Sequence, residues 1–206
     1  MKNTKTRILQ TALHLFNDLG LPKVTLRTIA KEMGISQGNL NYHFKKREDI
    51  LEALYHDLVS KMDILVEQMQ GSGFSLQALY DQQTMMMHHF FDYRFFMLDF
   101  VQIMREQVNI KNHYMQLTEL RILQFQGLIQ GLVELGLMRP EEIEDEYKHF
   151  HIRLQILNDF WLSSAITTQQ LSKALIPTYS MALFRELYPY LTPKGKTEFQ
   201  AISESS

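Results

Sequence analysis

The pattern of apolar and polar positions divides this chain into helices punctuated by glycine and proline. The N-terminus leads directly into an amphipathic helix. Thr25 then precedes an apolar set at Ile29, Ala30 and Met33, the spacing of one helical face, until Gly34 interrupts it. Ser36 opens a second short stretch in which Leu40 and Phe44, four apart, face inward. Past residue 47 helix follows helix. Ile50, Leu51, Leu54, Leu58 and Leu65 mark a long one that the turn 71–74 ends, with Ser75 capping the next. Further helices are predicted over 76–92, 95–108 and about 112–135, then beyond Gly136 and Pro140 over about 141–167 and 171–188. Pro189 and Pro193 introduce a polar tail expected to be loose. The predicted fold class is all-α.

Residues 25–44 carry the most specific chemistry, because two short helices broken at a glycine, with the second helix's outer face polar, read as a helix-turn-helix. Thr25 and Ser36 cap the two helices through their hydroxyls. Gly34 has no Cβ and enters the left-handed conformation that a tight turn needs, and Ile35 after it drops toward the shared core. Gln37, Asn39 and Asn41 offer paired donors and acceptors to base edges, and Gly38 lets the backbone come close. Tyr42, His43, Lys45, Lys46 and Arg47 look outward to phosphates, with Arg27, Thr28, Thr4 and Lys5 on the other side of the groove. The implied partner is duplex DNA. An ordinary helical hairpin has the same spacing, so the charge balance matters.

Charge divides sharply at the end of this segment. Up to Arg47 nine basic residues face only Asp18 and Glu32, a net +7, whereas the remaining 159 residues carry 12 basic and 21 acidic groups, a net −9, for the chain's −2. A near-neutral protein of 206 residues thus joins a basic head to an acidic body, which fits a nucleic-acid contact with a separate second function. The chain has no cysteine, which excludes disulfides, thiol redox sensing and thiolate metal sites. With no long apolar run and no secretory segment, a cytoplasmic protein with no membrane contact is expected.

At these residues the chain resembles the TetR (AcrR-like) family of bacterial one-component transcriptional regulators, most closely over residues 5–55. The matching pieces are 8–16, Gly20 closing the first helix, Thr25 with Ile29 and Ala30, residues 34–36, 38–44 and 48–51. The resemblance implies a DNA-binding head (1–47), a linking helix leading into a helical ligand-binding and dimerisation domain (48–192), and a tail (193–206). It also implies that a ligand releases the operator. Two positions depart from the family pattern. Lys46 stands where a small capping residue is frequent, which weakens the cap of the linking helix; Arg47 stands where Lys is usual and keeps a phosphate-directed cation.

The last two predicted helices carry apolar stripes, Phe150, Leu154, Leu157 and Trp161 on one and Leu175, Tyr179, Leu183 and Leu187 on the other. The same pattern describes intrachain core. The resemblance favours a homodimer, in which these helices pair with their twofold copies and two recognition helices meet a near-palindromic operator about 34–36 Å apart. Residues 85–104 are dense in Met and Phe, which line adaptable pockets and also fill plain cores. Because the resemblance places a ligand cavity among the middle helices, an apolar or amphipathic ligand is expected against Met86, Phe90, Phe96, Phe100, Met104 and Trp161. Asp99, Gln124 and His88 or His89 are the candidate polar anchors.

Other chemistry finds little support. His88 and His89 point about 100° apart on a helix, His149 and His151 lie on different faces, and the turn-spaced Asp145 and His149 suit a surface ion pair better than a metal. The glycines at 71 and 73 lack a third, since Leu76 stands there, and no nucleophile elbow, zinc-protease or P-loop pattern occurs. No metal, cofactor or enzyme activity is implied. Two alternatives to a ligand-released repressor stand: a regulator whose body answers to a protein partner, and a helical ligand carrier without DNA binding, against which the basic head speaks.

Overall fold

The computed structural model describes residues 2–72 and 75–205, and side chains over 4–68 and 75–204. Among the described residues run eleven helices and no strand. In chain order they are α1 (Lys2–Leu19), α2 (Leu26–Glu32), α3 (Gln37–His43), α4 (Arg47–Ser72), α5 (Leu76–Asp92), α6 (Arg94–Leu98), α7 (Phe100–Glu106), α8 (Val108–Glu134), α9 (Glu146–Ala165), α10 (Ile176–Arg185) and α11 (Pro193–Ser205). Gly73 and Phe74, in the turn expected at 71–74, lie outside the described residues, whereas Ser75 caps α5 by accepting from Ala78 N at 3.1 Å. The chain divides into two compact units, residues up to 61 with 92–113, and 62–91 with 114–206.

In the first unit α1 buries Ile8, Ala12 and Phe16, one residue per turn, and ends at Gly20 with φ 77°. A short 3-10 turn, Leu21–Lys23, leads into α2. The unit is larger than the three helices and linker expected of the head. The Phe16 ring stacks on Phe95 with centroids 5.0 Å apart. Asn17 Nδ2 donates to the Asp92 carbonyl at 2.7 Å while its Oδ1 accepts from Phe95 N at 3.0 Å. Residues 92–113 therefore pack in one compact unit with α1, within the stretch that the sequence reading assigned to the body. The helix expected over 95–108 is two, α6 and α7, which meet at Asp99, where the backbone leaves helical geometry.

The second unit has its core where α5, α8, α9, α10 and α11 contribute Leu76, Tyr80, Ile129, Leu132, Phe150, Phe184, Phe199 and Ile202. The helix expected from residue 141 begins only at Glu146. Arg139 holds the Glu146 carboxylate through two bonds of 2.8 Å, and that same carboxylate accepts from Glu142 N at 2.9 Å, so residues 141–145 form a side-chain-pinned loop. The hydrogen bonds from Arg139 and then from Glu142 N accordingly hold the Glu146 carboxyl down at about 2. Similarly, α10 starts at Ile176, where Pro177 in the first turn fits a helix start.

The expectation of a loose tail is overturned. Thr192 N donates to the Leu137 carbonyl at 3.0 Å and Arg139 N to the Tyr190 carbonyl at 2.9 Å, a short antiparallel bridge that delivers Pro193 to the first position of α11. Phe199 then stacks on Phe184 at 4.9 Å. Gly195 lies so close that a Cβ there would fall 2.1 Å from the Leu137 carbonyl oxygen. The polar composition of residues 193–206 concealed two inward residues, Phe199 and Ile202, on one face. Phe199→Ala is expected to cost about 3–5 kcal/mol in urea unfolding, where a loose tail would change stability by less than about 0.5 kcal/mol.

Candidate functional site

Local chemistry builds the α2–α3 pair. Thr25 Oγ1 accepts from Thr28 N at 3.2 Å, and Thr28 Oγ1 accepts from Thr25 N at 2.8 Å, a reciprocal cap in which threonine takes the place of the usual Glu or Gln. Gly34, with φ 66°, closes α2 as Ile35 N reaches the Ala30 carbonyl at 3.1 Å. Ser36 Oγ then accepts from Asn39 N at 3.1 Å to start α3. Leu40 and Phe44 are buried, so α3 is fixed on its inner side and Gln37, Gly38 and Asn39 stand exposed. Tyr42 projects furthest, 67% exposed, with the half-buried His43 edge-on against it at 5.3 Å.

Around this face lie the exposed Lys5, Arg27, Lys31, Lys45 and Lys46, none of which makes an ion pair among the described residues. Unpaired cations flanking a polar helix suit a row of phosphates. Lys5 Nζ sits over the Phe44 ring at 5.4 Å, and Thr4 is half-buried beside it in the chain. At the start of α4 the departure at Lys46 is partly made good, since Asp49 Oδ2 accepts from both Lys45 N and Lys46 N at 3.1 Å. Half of a capping box is present without a capping hydroxyl.

Two expected contacts are placed elsewhere. Arg47 does not face outward: Nη1 donates to the Leu21 carbonyl at 3.1 Å and Nε to Glu48 at 3.3 Å, beside a cavity of about 230 Å³ lined by Leu21, Pro22, Leu51, Ile103 and Glu106. Asn41 is half-buried, and its Oδ1 is enclosed with no hydrogen-bond partner among the described residues. It stands about 60° from Phe44 around the helix, on the flank of the inner face.

The residues expected to meet a ligand do not gather in one unit. Phe96, Asp99, Phe100 and Met104 fall in the first, and Met86, His89, Phe90, Gln124 and Trp161 in the second. Phe96 is core, stacked on Tyr55 at 5.4 Å. Burial raises the Asp99 carboxyl, with the Leu21 N–H opposing that shift. Phe100 and Met104 line an open cleft of about 420 Å³ with Val101, Arg105, Val108 and Lys111. Gln124 accepts from Arg121 at 2.7 Å, and Trp161 lies against Tyr179 at 5.0 Å.

The stripe chosen for dimer contact is mostly interior. Phe150, Trp161 and Leu183 are 0%, 4% and 5% exposed within the single chain, and Leu154, Leu175, Tyr179 and Leu187 are half-buried. Of that set only Leu157 is exposed, and the outward apolar positions of α9 are Ile152, Ile156 and Phe160, four apart and 44%, 55% and 39% exposed. The apolar residues of α9 make two stripes, and the sequence reading took the inner one.

Comparison with known proteins bears on both units. Residues 8–54 match the family profile described as "Bacterial regulatory proteins, tetR family", and residues 57–199 match that described as "Bacterial transcriptional repressor". The chain is 38% identical over 53 residues to the class C tetracycline repressor protein of Escherichia coli, a match spanning about a quarter of either protein (26% and 24%). It is 21% identical to the probable HTH-type transcriptional regulator YttP of Bacillus subtilis over 75% of both chains. Among solved structures, a TetR-family regulator from Marinobacter aquaeolei shares the fold over 98% of both chains, with TM-score 0.80 and 22% identity. A regulator from Saccharomonospora viridis crystallised with choline covers 91% of this chain and 97% of its own, with TM-score 0.71 and 18% identity.

Because Arg47 grips a backbone carbonyl, its loss weakens the head itself. Arg47→Ala is expected to lower stability by about 1.5–3 kcal/mol, the range for a hydrogen bond from a charged group, whereas the exposed Lys45→Ala stays within about 0.5 kcal/mol. Thermal unfolding of the two variants checks the difference.

Proposed function

The chain belongs to the TetR family of bacterial transcriptional regulators, which are DNA-binding and not enzymes, and we propose that within it this protein is a one-component repressor released by a small molecule. The reading rests on one observation above all: Gln37, Gly38 and Asn39 stand exposed on a helix capped by Ser36, flanked by Arg27, Lys31, Lys45 and Lys46, which make no ion pair among the described residues. The amides read base edges in the major groove and the cations hold the two phosphate strands. An acidic body is repelled by DNA, which confines the contact to the head.

It acts as a homodimer on a near-palindromic operator, with its recognition helices one DNA turn apart, about 34–36 Å. The outer stripe of α9, Ile152, Ile156 and Phe160 with Leu157, meets its twofold copy in place of the buried Phe150, Trp161 and Leu183. The body takes an amphipathic small molecule, a reading to which the choline-bound regulator of similar fold lends support. No helix among the described residues is long and apolar enough to cross a membrane.

A mobility-shift titration on the DNA upstream of the protein's own gene tests the reading, with and without hydrophobic compounds; no shift at low salt rejects it. Lys46→Ala should weaken binding equally on all sequences and reduce the salt slope by roughly one per half-site. Gln37→Ala should cost about 1–3 kcal/mol on the operator alone and relax preference at one position. Ile156→Glu should give a monomer by light scattering; a dimer unaffected by it would place the twofold contact elsewhere.

A further inference from the structure

The first unit encloses a space that its own side chains do not fill. The cavity of about 230 Å³ lies between the Leu21–Lys23 turn, the start of α4 and one face of α7, and every residue lining it belongs to that unit. One water takes up about 30 Å³ in the liquid, so the space has room for a small organic molecule. Part of its lining is apolar core, since Leu21, Leu51 and Ile103 are 5%, 2% and 1% exposed. The rest carries charge and amide groups, Arg47 from α4 and Gln102 and Glu106 from α7.

Neither charge is fully used by the fold. Arg47 gives Nη1 to the Leu21 carbonyl and Nε to Glu48, which leaves Nη2 without a hydrogen bond among the described residues, on a side chain only 29% exposed. Glu106 accepts from the neutral amide of Gln102 at 3.0 Å and makes no ion pair among the described residues. The guanidinium and the carboxylate line one cavity and yet do not meet. Opposite charges held apart across a partly enclosed space still attract what stands between them, and a molecule that carries both signs answers both.

We propose that this cavity takes a small zwitterion of the amino-acid type, its carboxylate toward Arg47, its ammonium toward Glu106 and an apolar side chain against Leu21, Leu51 and Ile103. A guanidinium grips a carboxylate through its N–H groups, and Arg47 has those of Nη2 to offer. A plain carboxylate gains that bond but is opposed by Glu106 and by the Glu48 carboxylate already on Arg47; a plain amine gains Glu106 but is opposed by Arg47. The site is separate from the ligand reading of the body and does not rest on it. It stands against the turn from which α2 and α3 follow, in the unit that carries the helix-turn-helix.

Calorimetric titration of the full chain with L-leucine, 4-methylpentanoate and 3-methylbutylamine tests the inference, since the last two are leucine without its ammonium and leucine without its carboxylate. Leucine should bind roughly tenfold or more tightly than either. Glu106→Gln keeps an acceptor for the Gln102 amide at an exposed position, so the fold should stand. It should weaken leucine by roughly tenfold or more and leave 4-methylpentanoate no weaker. Glu119→Gln, which removes an exposed carboxylate of α8 in the second unit, should leave leucine unchanged.

Thermal unfolding supplies a second readout. A ligand that binds only the folded chain raises its melting temperature, so leucine should raise that of the wild type and, at the same concentration, move Glu106→Gln far less. Without leucine the two proteins should melt at nearly the same temperature, which separates a lost site from a damaged fold. Leucine that binds no better than its two fragments, or as well to Glu106→Gln as to the wild type, overturns the inference, as does an equal loss of leucine affinity in Glu119→Gln. Both measurements are made without DNA, so a failed regulator reading is not confused with a failed ligand site.

Discussion

The Leu21 backbone carbonyl is held by a side chain from a distant part of the chain, and the placement of the reading head depends on that grip. Arg47, at the start of α4, donates to that carbonyl at 3.1 Å, and the Leu21 N–H opposes the rise that burial gives the Asp99 carboxyl between α6 and α7. The turn they hold lies between α1 and α2, so its position sets where α2 and then α3 stand. Nearby, the Phe16–Phe95 stack and the two hydrogen bonds of Asn17 fasten the end of α1 to the α5–α6 junction. The recognition helix itself has only seven residues and two buried anchors, too few to hold an orientation alone.

That arrangement separates two kinds of charge in the head. Arg47 and Asp99 are partly enclosed and tied to backbone, where removing a partner leaves a polar group unmade. Lys45, Lys46, Arg27 and Lys31 remain in water and without ion pairs among the described residues, as groups that meet phosphates must. The second unit shows the opposite economy. Asp159 is half-buried, accepts from the Tyr114 hydroxyl and makes no ion pair among the described residues.

Much of the first unit could be read in advance. Thr25, Ser36, Gly34 and Gly20 act as their residue types require, because capping and left-handed turns are decided within four residues of chain. The body was legible as helices and much less so in its faces. Phe150 and Ile152 are both apolar and two apart on α9, yet one is core and the other outward, and periodicity alone does not say which stripe meets the rest of the chain. The tail misled for a related reason: Phe199 and Ile202 are two apolar residues among polar ones, and only the Thr192 bridge to Leu137 brings them onto Phe184.

The sequence by itself determined most of the helices, the caps of α2 and α3, the basic head on an acidic body and the amide-bearing face of α3, all of which follow from short-range periodicity and charge. The tertiary structure decided which of those residues are already occupied. Arg47 meets a carbonyl 26 positions away, and Asp159 a hydroxyl 45 positions away. Whether a side chain is free for DNA or ligand depends on partners that only folding brings within hydrogen-bond reach, and no spacing along the chain encodes that distance.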